Sequence, residues 1–158
     1  MSVSNSAVSF LPVPSTRIRA GVRAGLVSAA ATAGAIIGFG LRHDDWSTPF
    51  VSLGIQVLQG LGLTNPPPAL SSVAGIAAHV AWMVVWGIGF GLLAYRRTPA
   101  TAALLALGIG VVAALSARVI PPALGAVNFA ALPTAQVVLC VALLSVGLIT
   151  GRALSVTD

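Results

Sequence analysis

The charged side chains of this chain fall in a few short clusters, and the intervals between them are long, apolar and unbroken. Of 158 residues, 57% are hydrophobic and 7% charged, whereas a water-soluble domain usually carries about 25% charged residues. So few charges cannot cover a globular surface in water. An apolar run of about 20 residues is what the hydrocarbon core of a bilayer requires. The expected fold class is all-α: a polytopic membrane protein with four transmembrane helices and a short amphipathic interfacial helix between the first and second. The blocks place the spans at 17–41, 71–95, 100–120 and 133–151, and the interfacial helix at 49–61. Residues 1–16 and 153–158 read as tails, and 17–152 as one membrane bundle without a soluble domain.

The boundaries follow from local chemistry. Arg19 and Arg23 open the first span, where long cationic side chains reach back to headgroups, and Arg42, His43, Asp44 and Asp45 stop it. The apolar run up to Leu41 is too long for a cleaved signal peptide and reads as an uncleaved anchor. Ser47-Thr48-Pro49 is a helix start, with a hydroxyl cap and proline in the first turn. Beyond it Ser52, Gln56 and Gln59 share one face, and Phe50, Leu53, Val57 and Leu61 the other. That segment is too short to span. It is expected to lie flat at the interface with Trp46 as anchor, a re-entrant half-helix being the alternative. Asn65-Pro66-Pro67-Pro68 makes a stiff turn, Arg96, Arg97 and Pro99 close the second span, and Pro121-Pro122 end the third. A connector over 121–132 is expected to hold a helical turn near Asn128.

The arginines also set orientation. Arg17, Arg19, Arg23, Arg96, Arg97 and Arg152 gather on one side, against Arg42 and Arg118 on the other. By the positive-inside rule both termini face the cytoplasm, which suits a multi-pass protein of a bacterial-type inner (plasma) membrane. Charge spread over helix ends does not form the clustered basic face that nucleic acid needs. The expected partners are the lipid bilayer and other membrane subunits or further copies of the chain.

Leucine gains nothing by leaving lipid for a protein interior, so helix association rests on close approach through small residues. Each span carries a row at spacing four: Gly21, Gly25, Ala29, Ala33 and a second row Ala30, Gly34, Gly38 in the first; Gly75, His79, Met83, Gly87, Gly91 in the second; Ala102, Ala106, Gly110, Ala114, Arg118 in the third; and Gly147, Gly151 in the fourth.

His79 is the one ionisable side chain deep within the second span, and an intramembrane ionisable residue is a functional candidate by default. Its ordinary role is a neutral imidazole bonded to a neighbouring helix. The sharper role is an axial ligand to a haem or chlorophyll-type tetrapyrrole, with Gly75 leaving room for a flat macrocycle and Trp82 and Trp86 beside it. No cofactor is the leading expectation. Arg42, His43, Asp44, Asp45, His79 and Arg118 all tend towards one side and could line an outer polar vestibule. The Gly-spaced histidine of the second helix is similar to that of many bacterial four-span membrane proteins.

Absences narrow the chemistry. The chain has no Glu and no Asp within an expected span, so the membrane carboxylate of a proton-coupled exporter is missing. Cys140 stands alone, which rules out a disulfide or paired-thiol mechanism within the chain; it reads as a small packed residue. Neither a zinc-protease nor a serine-nucleophile motif is present. A non-enzymatic accessory or structural membrane subunit of a larger complex, with an energy-transducing one among the candidates, is the first reading. A small channel or transporter and a tetrapyrrole-binding protein are the alternatives.

Overall fold

The computed structural model describes residues 15–41, 46–123 and 134–156. These form five helices and, among the described residues, no strand: α1 Ser15–Leu41, α2 Thr48–Gly60, α3 Pro68–Ala94, α4 Pro99–Ala123 and α5 Thr134–Val156. Three segments are long and apolar enough to cross a membrane, Ser15–Gly38, Pro68–Ala94 and Pro99–Ser116. The apolar segment of α5 is the shorter Val137–Ala153. The protein is a helical membrane protein by length and composition. Residues 1–14, Arg42 to Asp45 and the connector around Asn128 lie outside the described residues.

Boundaries shift where proline is well placed. α3 begins at Pro68, three residues ahead of the expected start, because proline at the first helical position has its φ preset and needs no N–H partner. The Pro67 carbonyl then accepts from the Ser71 N–H at 2.9 Å. α4 starts in the same way at Pro99, with the Thr98 hydroxyl accepting from the Thr101 N–H at 3.3 Å as an N-cap. α4 extends past the expected stop to Ala123, ending within the turn where Pro121 and Pro122 each remove a backbone donor. α2 begins at Thr48, but its Ser47 hydroxyl makes no capping bond. Its C-terminus closes on Gly62 at φ +94°: the Gly62 N–H donates to Gln59 O (2.9 Å) and the Leu63 N–H to Leu58 O (3.0 Å). This double closure needs a left-handed residue at position 62, which glycine adopts without a Cβ clash.

Four long helices pack in antiparallel neighbours, α1 between α3 and α5, and α4 chiefly on α5 with lighter contact to α3. Small residues decide each pairing. A Cβ at Gly25 would stand 2.6 Å from Val84 Cα, and one at Gly21 2.6 Å from Ile88 Cα; Gly87 and Gly91 meet the same stretch of α1 from the other side. On α5, Gly147 faces Ser28 at 2.6 Å and Gly151 faces Ala24. Gly110 of α4 faces Ser145 and Val141. The core is correspondingly small-grained, with Ala24, Ala94, Ala102, Ala106 and Ala113 around Phe90, Leu144 and Leu148. Two expected packing glycines, Gly34 and Gly38, are exposed, with nothing near a Cβ at either position among the described residues.

α2 does not behave as a helix held by lipid alone. Its buried stripe is Phe50, Gly54 and Leu58, not the expected Phe50, Leu53, Val57 and Leu61; Leu61 is exposed. Gly54 packs on Ser71 and Gly75 while Gly75 packs on Phe50 and Gly54. Phe50 also meets His79. Contacts that move up α2 as they move down α3 describe an antiparallel helical hairpin over the first turns of α3. The axis of α2 therefore runs alongside the first turns of α3.

Candidate functional site

The site is built where α1, α3 and α2 meet. His79 is 7% exposed. Its Nε2 lies 3.2 Å from Ala29 O and 3.1 Å from Thr32 Oγ1. Phe50 of α2 meets the imidazole edge to face, with centroids 5.9 Å apart and planes at 76°.

The network assigns the proton. Thr32 donates its hydroxyl hydrogen to Ser28 O at 2.8 Å, so its oxygen meets His79 as an acceptor. Ala29 O only accepts. Nε2 must therefore carry hydrogen, and Nδ1 the lone pair in the neutral ring. Ala29 O can take this bond because a helical carbonyl keeps a second lone pair.

The polar line continues across the molecule. Ser28 donates to Ala24 O (2.8 Å) and approaches Leu144 O of α5 (3.2 Å). Ser145 of α5 donates to Val141 O (2.7 Å) and reaches Ala106 O of α4 (3.3 Å). His79 thus ties α3 to α1, Ser28 ties α1 to α5 and Ser145 ties α5 to α4. Sequence reading found His79 but missed Ser28, Thr32, Ser145 and Gly54. The available signal was hydroxyls within apolar spans, next to glycines on the same faces.

The geometry bears on each candidate role. The space expected above Gly75 for a macrocycle is filled by Phe50 and Gly54 of α2. A metal taken by Nε2 would displace its hydrogen bonds to Ala29 and Thr32. Of the six vestibule residues, Arg42, His43, Asp44 and Asp45 lie outside the described residues, as does the Arg118 side chain, although its backbone belongs to α4. His79 faces α1 at Thr32, nine residues below Leu41, or about 14 Å at the helical rise. Trp82 and Trp86 pack on each other edge to face with centroids 5.8 Å apart, and Trp86 also packs against the core.

The opposite end of the helices is basic. The Arg17 guanidinium stands over the Tyr95 ring at 4.8 Å and that of Arg96 at 5.6 Å. Arg152 donates to Arg97 O at 2.6 Å. Arg96 has φ +58°, the left-handed backbone that turns the chain sharply from α3 into α4. A hydrogen bond from Thr16, helped by the charges of Arg96 and Arg17, holds the Tyr95 phenol below its usual range against a smaller effect of burial.

Fold and site together define a helical membrane protein whose buried polar groups join its helices. No family model, no curated protein and no solved structure matches the chain.

Proposed function

We propose that the chain is a four-span protein of a bacterial-type inner membrane with both termini cytoplasmic, and that it serves as a non-enzymatic accessory or structural subunit packed within a larger membrane complex. The observation that carries this reading is the use made of the buried polar side chains. Ser28, His79 and Ser145 each bond to a backbone carbonyl of a neighbouring helix, while the Thr32 and Ser71 hydroxyls bond carbonyls one turn back in their own segment. The interhelical bonds hold helices together in lipid.

α5 serves as the fourth span. It is 23 residues long and lies antiparallel against α1 from Ser28 to Ala24. Its Arg152 reaches the turn that closes α3. A helix packed between the levels of its neighbours' ends crosses with them. α2 enters beside α3 as a half-helix. Surface remains for further subunits: α4 turns Leu104, Leu107, Val111 and Leu115 outward, and α1 leaves Ala30, Gly34 and Gly38 open.

The test is solubilisation from native membranes in mild detergent, with chemical crosslinking beforehand. The chain should migrate in a defined assembly with other membrane subunits or with itself, in fixed ratio. Recovery only as a stable, uncrosslinked monomer sinks the proposal.

A further inference from the structure

We infer that the basic end of the helices, at Arg17, Tyr95 and Arg96, is a binding site for a phosphate-bearing anion of the kind an anionic phospholipid headgroup presents. Two guanidinium groups converge on one aromatic ring, at 4.8 and 5.6 Å from its centroid. The Nε of Arg17 is buried there with no hydrogen-bond partner among the described residues. Arg97 and Arg152 adjoin, joined by the bond from Arg152 to the Arg97 carbonyl. Like charges gathered in this way repel, and an anion seated among them offsets that repulsion.

The chain supplies almost none. Its three acidic residues are Asp44, Asp45 and Asp158. Arg17 lies 24 residues before Leu41 along α1, about 36 Å at the helical rise. Asp44 and Asp45 stand 27 and 28 residues after Arg17 in the sequence, past the far end of α1. Asp158 alone is close enough in sequence to Arg152 to compete. A phosphodiester meets the requirement: its oxygens accept from guanidinium donors in paired geometry, and basic pockets between helices at the membrane surface suit such headgroups. In a lipid the acyl chains would lie along the apolar α1 and α3.

The experiment measures binding of phosphatidylglycerol and phosphatidylcholine to the full chain in mild detergent by native mass spectrometry. Phosphatidylglycerol should be retained at lower concentration than phosphatidylcholine. The double variant Arg17→Gln/Arg96→Gln should weaken phosphatidylglycerol about tenfold or more, while Arg19→Gln changes it less than about threefold. Helical circular dichroism and melting without added lipid establish that the double variant is folded. If it is not, Arg96→Gln alone should still lose about threefold or more. Competition by sodium phosphate against sodium chloride at equal ionic strength separates the sources. Displacement specific to phosphate assigns the site to a free anion, and retention of lipid assigns it to a headgroup held by its acyl chains. Equal binding of the two lipids, or undiminished phosphatidylglycerol binding by the folded variant, overturns the inference. So does a tenfold gain on Asp158→Asn, which would make the chain's own carboxylate the occupant.

Discussion

At the scale of the residue, the imidazole of His79 is a cross-brace. With Nε2 donating to Ala29 O and Thr32 Oγ1, it satisfies itself inside an apolar interior, where an orphaned polar group is costly. Interhelical side-chain bonds in membranes are individually weak, about 0.6 kcal/mol and rarely above ~2 kcal/mol, because the separated helices also find partners. A double-mutant cycle of His79→Leu and Thr32→Val should therefore give a coupling near 0.6 kcal/mol, read from unfolding in mixed micelles. Strictly additive effects would show that the two side chains do not interact. A visible absorption band that disappears in His79→Leu would instead establish the ligand role. The histidine was legible in the sequence as the lone ionisable group of its span. Its partner was not, because a threonine in an apolar helix bonds its own backbone equally well, as Thr32 does to Ser28.

At the scale of the element, close approach separates the glycines into those that fit a neighbour and those that do not. Gly54 and Gly75 leave no room for a methyl group between α2 and α3, whereas a Cβ at Gly34 meets none of the described residues. Gly54→Ala must push two backbones apart and should cost about 1–3 kcal/mol. Gly34→Ala has nothing to displace and gains helix propensity, so it should be neutral or stabilising by up to about 1 kcal/mol. Thermal melting of both variants in one detergent checks the pair, and equal destabilisation would contradict the α2–α3 hairpin. The helices themselves were legible to within a few residues, since apolar run length and proline position act locally. The buried face of α2 was not. Its amphipathic pattern pointed to Leu53 and Val57, but contact with α3 selected the side carrying Gly54, where backbones come nearest.

At the scale of the whole molecule, the arginines around the α3–α4 turn and the exposed turn between α2 and α3 lie at opposite ends of α3. In a Cys140→Ser background, a cysteine at Thr64 should react with a membrane-impermeant maleimide in intact cells. One at Thr98 should react only after permeabilisation. The reverse pattern would invert the proposed orientation, and labelling of both sites in intact cells would end the case for α3 as a span.

Solvent preference was written in the sequence alone. Apolar length and the placement of charge are one-dimensional quantities, and they suffice to call for lipid around these helices and to mark the arginine-rich end. Which glycine row meets which helix was decided only in three dimensions. α1 carries several small-residue faces of nearly equal apolarity, and shape rather than hydrophobicity distinguishes them: Gly21 and Gly25 admit α3, Ala24 and Ser28 admit α5, and Gly34 and Gly38 remain open. In lipid, where burying a leucine brings no gain, that fit of backbone to backbone sets the tertiary structure.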